Sequence, residues 1–200
     1  TIYLTTSFID KNYMSWIDQI EYCVQKTRIK EIFILRYKKN FEINNDAEKI
    51  KLMNFIRLKV KKDKNCDPNK FAKQVNKSLG FNKEIKSNSI IDKKLSWKLI
   101  SKFKNDKLVT FGGHSHTHLT LSYLSPDILK KEIKTSVQKI KNHLKLKKIH
   151  YSYPEGSKQT YSKKVIRELK KNDVISSVTT IKGSNAKNTN LYELKRIFVA

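Results

Sequence analysis

Apolar positions along this chain follow two alternating rhythms. Trp16, Ile17, Ile20 and Val24 recur at helical spacing within Tyr13 to Lys26. Leu129, Ile133, Val137 and Ile140 do the same behind Ser125-Pro126-Asp127, a helix-opening triplet, and that helix reaches His143. Further helices are predicted over Asp46 to Lys61, Asp67 to Ser78 (opened by Asp-Pro and closed by Gly80), Asp92 to Asn105 (with Trp97, Ile100 and Phe103 on one stripe) and Ser162 to Lys171. Between them lie short β-branched or apolar runs: Thr1 to Thr6, Glu31 to Tyr37, Phe41 to Ile43, Leu108 to Phe111, Ile149 to Tyr153, Val174 to Thr180, and a last strand from Leu194. Lys38-Lys39-Asn40 joins the second and third of these as a hairpin, and Lys182 to Asn190 reads as the loosest loop. Alternation of this kind predicts an α/β fold with a mainly parallel sheet or barrel.

Composition narrows the picture. A chain of 200 residues, 38% hydrophobic and 10% aromatic, can bury one sizeable core and is read as one domain, residues 1–200. No apolar run approaches the ~20 residues that span a bilayer. Cys23 and Cys66 are too few and too distant for a disulfide framework or a cysteine zinc site; one reads as a packed thiol, the other as a loop thiol. The net charge of +25 raises the question of nucleic acid. Yet Arg28, Arg36, Arg57, Arg167 and Arg196 are the five arginines among 43 basic residues, and the lysines come with many Asn and Ile, a set that AT-rich codons favour together. Lysines run through every segment, denser at Lys59 to Lys64 and Lys145 to Lys148. No nucleic-acid partner is therefore expected, and attraction to acidic glycans or membrane surfaces carries more weight.

Chemistry concentrates at His114-Ser115-His116-Thr117-His118, which follows Gly112-Gly113. Leu108 to Phe111 reads as a strand that stops and turns at this pentad. In an extended strand, residues i and i+4 stand about 13 Å apart. In a helical turn they approach to roughly 5–6 Å on one face, which suits zinc–nitrogen bonds of about 2.0–2.1 Å. His114 and His118 are thus the candidate metal pair, and His116 should point away. The alternative is a solvated histidine-rich loop. Tyr151-Ser152-Tyr153-Pro154-Glu155-Gly156 lies where a strand gives way to a loop, with backbone amides able to approach a ligand or simply to turn the chain.

In order, these segments resemble the polysaccharide deacetylases, the NodB-homology carbohydrate esterases of family four. Phe111 to His118, followed by Leu121-Ser122 and Leu124-Ser125, resembles their His-[Ser/Thr]-x-x-His metal motif, and Tyr151 to Gly156 a later motif in the form Phe-x-Tyr-Pro-x-Gly. The opening Thr1 to Asp10 with Trp16 and Asp18 resembles the second strand and helix of members associated with bacterial surface glycans, and Lys195-Arg196-Ile197 their terminal strand. The resemblance implies a distorted (β/α) barrel, incomplete at its N-terminus, and a hydrolase that removes N-acetyl or O-acetyl groups from sugars of a polysaccharide or surface glycan. It implies a divalent metal, Zn2+ before Co2+, Ni2+ or Mn2+, on His114 and His118. Ser115 would steady the loop, the Glu155 backbone N–H would donate to an oxyanion, and Tyr153 and Pro154 would line the sugar site, Tyr153 being equally readable as a core aromatic.

The departures are as definite. The family's Asp-Asp pair, which supplies the catalytic base and third metal ligand, is absent from the chain. The expectation is a fragment beginning after that motif, without its first strand and helix and inactive alone. An inactive glycan-binding homologue is the competing reading, and a basic nucleic-acid-binding module the third. Ser152 stands near the family's usual arginine, so Arg196 is a speculative substitute as orienter; no general-acid histidine is assigned. Compartment, cytoplasmic or cell-envelope, and oligomeric state stay open.

Overall fold

The computed structural model describes residues 1–11, 14–83, 85 and 94–197. They divide into two compact units: residues 1–12 with 94–200, and residues 13–93 between them in sequence. In place of the one core expected, each unit buries its own, around Leu121, Ile133, Ile140 and Tyr151 in the first and Ile20, Ile34, Leu52 and Ile56 in the second.

The first unit is a parallel sheet with helices. Its strands are β1 (Ile2–Leu4), β4 (Phe111–Gly113), β5 (Ile149–Ser152), β6 (Val174–Lys182) and β7 (Leu194–Arg196), ordered β1-β4-β5-β6-β7 with every pairing parallel. The α/β alternation is therefore what the chain adopts, and among the described residues β1 and β7 are the edges of the sheet. Helices α1 (Thr6–Lys11), α5 (Trp97–Lys102), α6 (Pro126–Leu144) and α7 (Lys163–Lys171) belong to this unit. Helix α6 starts at Pro126, whose missing N–H costs nothing in a first turn, and buries Leu129, Ile133, Val137, Ile140 and Leu144. Helix α7 opens on Ser162, whose Oγ accepts from Val165 N, and buries Val165 and Leu169.

The second unit holds α2 (Trp16–Lys26), the antiparallel hairpin β2 (Glu31–Ile34) and β3 (Lys39–Glu42), α3 (Asp46–Lys62) and α4 (Pro68–Ser78). Lys38 sits left-handed at the hairpin turn, behind a short 3-10 turn at Leu35–Tyr37. Helix α4 opens as its sequence predicts: Asp67 Oδ1 accepts from Asn69 N and Lys70 N, Pro68 occupies the first turn, and Gly80 ends it at φ 90°. Cys23 is buried, Cys66 half-buried, and both are free thiols.

Several boundaries differ from expectation. Thr6–Lys11 is a helix that the short polar-apolar mixture concealed. Helix α5 begins only at Trp97, behind the Ser96 cap, and Phe103 at its end is 43% exposed rather than part of a buried stripe; Tyr13, Asp92 and Lys93 lie outside the described residues. The strand before the pentad is Phe111–Gly113, so the glycines lie in the strand instead of ending it. Leu108 is 94% exposed, its N–H turned onto Asp106 Oδ1. The physical reason is crowding: a Cβ at Gly112 would fall 2.7 Å from His150 O and from the Tyr3 ring, and one at Gly113 2.6 Å from the Tyr151 ring. The 182–190 segment is also better held than expected, with Asn185 bonded to Lys195 in both directions.

Gly112→Ala should therefore push β4 off β5. Overpacking against backbone predicts a loss of about 2 kcal/mol, read as a lower urea midpoint with unchanged m-value.

Candidate metal and active site

The C-terminal ends of β4 and β5 are adjacent, because Gly112 pairs with His150 and Gly113 with Tyr151. The next residues along each strand, His114 and Ser152, meet there: His114 Nδ1 lies 2.8 Å from Ser152 O. A carbonyl only accepts, so Nδ1 carries the proton and the neutral ring presents a lone pair at Nε2. That nitrogen faces His118 Nε2 at 3.1 Å. Two imidazole nitrogens about 2.0–2.1 Å from one tetrahedral ion would stand roughly 3.3 Å apart. The donor pair thus fits one metal ion, and the Ser152 carbonyl gives His114 the outer hydrogen bond that metal-binding histidines use for orientation. Among the described residues no group of three His, Cys, Asp or Glu could complete a three-ligand set.

The pair does not meet through a helical turn, as its spacing predicts. Residues 114–118 form an irregular loop in which Ser115 (φ 62°) and His118 (φ 61°) are both left-handed. Conformations this sparse for non-glycine residues need support from their surroundings, and the support is visible. Ser115 Oγ accepts from His118 N at 2.8 Å, closing the turn. Tyr151 Oη accepts from Ser115 N at 2.8 Å. The buried Glu132 carboxylate takes three bonds: Oε2 accepts from His116 N and Thr117 N at 3.0 Å each, and Oε1 from Thr117 Oγ1 at 2.7 Å. From the other side Thr5 Oγ1 donates to His114 O, and Ser7 N to His116 O. His116 turns away, its Nδ1 2.8 Å from Thr6 Oγ1, and Phe8 stacks on His118 with ring centroids 6.3 Å apart.

Burial, the neighbouring His118 ring and the positive charge of Arg196 push the His114 pKa down to about 4, against the opposing Ser152 bond. At neutral pH the His114 ring is therefore neutral, with an unprotonated Nε2 that can accept a hydrogen bond from His118 or coordinate a metal. The Tyr151 hydroxyl is pushed above its ordinary value by burial, so it stays a neutral phenol.

The remaining residues singled out in the sequence fall as follows. Pro154 is buried, Glu155 is left-handed at φ 62°, and Gly156 N donates to Pro154 O at 2.8 Å. This turn is clamped to β6: Thr180 N donates to Gly156 O and Thr180 Oγ1 to Glu155 O, both at 2.9 Å. Gly156 is required there, since a Cβ would meet Thr180 N at 2.8 Å. Tyr153 is a correction. It is 1% exposed, stacked on Tyr161 with centroids 4.5 Å apart, and its Oη donates to Tyr192 O. The core reading of this aromatic is the one observed, and no ring face is left for a sugar. Arg196 is anchored by Nε donating to Thr179 O at 2.6 Å, and its charge reaches His114.

Sequence reasoning missed Glu132, Tyr151 and Ser152. For Glu132 a signal existed: one carboxylate interrupts the apolar stripe of α6, on the face shared by Leu129, Ile133 and Ser136. For a hydroxyl and a carbonyl there was none.

A family model described as "Polysaccharide deacetylase" matches residues 1–174. No curated protein matches at a significant level. Among solved structures, the Streptococcus pyogenes deacetylase PplD in complex with acetate is 27% identical, with TM-score 0.47, over 52% of this chain and 45% of that one. IcaB from Ammonifex degensii is 17% identical, with TM-score 0.45, over 54% of this chain and 49% of that one. A de-N-acetylase from Aggregatibacter actinomycetemcomitans is 12% identical, with TM-score 0.43, over 95% and 79%. The chain thus spans about half the length of the first two.

Two outcomes follow from the geometry. Glu132→Gln keeps an oxygen for the two backbone amides but loses the charge and should cost about 1 kcal/mol, whereas Glu132→Ala strands buried donors and should cost on the order of 2–3 kcal/mol, measured by urea denaturation. The His114 proton acts through linkage: its pKa is about 4 folded and about 6.5 unfolded, so the unfolded chain binds the extra proton in between. Stability should fall as pH drops from about 6.5 towards 4, and His114→Gln should lack that part of the slope.

Proposed function

Because this chain belongs to the polysaccharide deacetylase family, we propose that it carries the histidine half of a metal-dependent site that removes N-acetyl, or O-acetyl, groups from sugars of a polysaccharide or surface glycan. The observation that carries the reading is the pair of Nε2 atoms facing each other at 3.1 Å with the His114 tautomer set by Ser152.

His114 and His118 would hold the ion, Zn2+ before Co2+, Ni2+ or Mn2+. When bound, such an ion supplies Lewis acidity and lowers the pKa of water towards neutrality. The chain's own groups would do the rest. Ser115 closes the loop that presents both rings. The Pro154-Glu155-Gly156 turn leaves β5 beside Ser152 and would offer the Glu155 N–H to the developing oxyanion, with Pro154 shaping the wall of the sugar site. Arg196, tethered by Thr179, would bias the charge around His114 as an orienter. The substrate would be an N-acetylated glycan; among the described residues no helix is long and apolar enough to cross a membrane.

The absence of a third ligand among the described residues also favours a second reading, a homologue that binds glycan without turning it over. Calorimetry separates the premise from the alternatives. Zn2+ should bind weakly, one per chain, and His114→Ala or His118→Ala should abolish it. Zinc binding indifferent to both substitutions would sink the metal site. Acetate release from N-acetylated oligosaccharides by the 200 residues should be negligible; glycan binding without release at any zinc concentration supports the second reading.

A further inference from the structure

Lysine is unevenly placed with respect to the sheet. In the first unit, the segments entering β4, β5 and β6, taken with the last residues of α5 and α7 (residues 102–109, 145–148 and 170–173), hold eight lysines in sixteen positions, whereas the loops leaving the same strands (114–120, 153–161 and 183–190) hold two in twenty-four. Codon bias acts on all segments alike, so it does not produce this polarity. Parallel pairing puts the three entering segments side by side, with strands about 4.8 Å apart and Ile149 in register with Val174. Lys104, Lys107, Lys145, Lys147 and Lys148 are all exposed there. Acidic groups at the same end are engaged: Asp173 pairs with Lys141 at 2.7 Å, Glu168 with Lys171 at 3.7 Å, and Asp106 Oδ1 accepts from Leu108 N.

A second feature shares this end. Leu108, directly after Lys107, is 94% exposed, and Phe103 is 43% exposed between Lys102 and Lys104. Cations alone suit any polyanion. Apolar side chains projecting among cations suit an interface with headgroups outside and acyl chains beneath.

We propose that the N-terminal end of this parallel sheet docks on an anionic lipid surface, the lysines meeting headgroups and Leu108 entering the apolar boundary. His114 and His118 stand at the opposite, C-terminal ends of the strands, so docking leaves them facing away from the lipid, towards a glycan. The inference does not depend on the deacetylase reading and is tested without metal or turnover.

The experiment is co-sedimentation of the full 200-residue chain with phosphatidylcholine vesicles, with and without phosphatidylserine. Binding should require phosphatidylserine and weaken with salt. Joint replacement Lys104→Glu, Lys107→Glu and Lys147→Glu should reduce it about tenfold or more. The matched change Lys51→Glu, Lys70→Glu and Lys73→Glu in the second unit alters net charge equally and should reduce it far less. Leu108→Ser, at a position too exposed to threaten folding, should weaken vesicle binding about threefold or more while leaving retention on heparin unchanged. Equal loss in the two charge variants, binding without phosphatidylserine dependence, or no binding at all would overturn the proposal. So would a Leu108→Ser protein indistinguishable from the parent, which would point to a soluble polyanion.

Discussion

The first unit depends on the close approach of three backbones at β4. Gly112 and Gly113 carry no side chain because the Tyr3 ring, the His150 carbonyl and the Tyr151 ring already occupy the volume a Cβ would need. With that volume filled, β1 and β5 both pair with β4. His114 therefore leaves the strand beside Ser152, with its own N–H still bonded to Leu4 O. A bulkier β4 would shift the strand, and the ring would lose the carbonyl that sets its tautomer.

The loop that follows is held by polar groups rather than by packing. Three bonds to the Glu132 carboxylate, one to the Tyr151 hydroxyl and one to Ser115 Oγ fix two left-handed residues. A charged acceptor bonds backbone amides more strongly than a neutral one, which suits a segment with little apolar surface of its own. The result is a partly buried pair of imidazoles, one of them strongly disfavoured as a cation. Such a site keeps the His114 ring neutral, and the charge of Arg196 disfavours its cation further.

Much of this was legible in the residues. Periodicity placed α2, α3, α4, α6 and α7 within a few residues, because their apolar stripes and Ser, Asn, Asp or Pro starts are local signals. The histidine spacing singled out His114 and His118, and predicted that His116 turns away. For Tyr153 the residues alone do not separate core from sugar site, since an aromatic after a strand has the same spelling in either role; its hydrogen bond to Tyr192 and its stacking on Tyr161 place it in the core. The division into two units was hidden, because residues 13–93 have the same lysine-rich, apolar-periodic composition as the rest.

By itself the sequence determined most of the helices, the order of the strands, the histidine pair that is the candidate for an ion, and which family the chain resembles. Those properties rest on side-chain type and short-range spacing. Only the tertiary structure decided that the histidines meet through a left-handed loop, that Glu132 and Tyr151 hold it, and that Ser152 sets the His114 tautomer. It also decided that lysines from three separate segments gather at one end of the sheet. These relations join residues far apart in the chain, and they exist only once parallel pairing has set the register between strands.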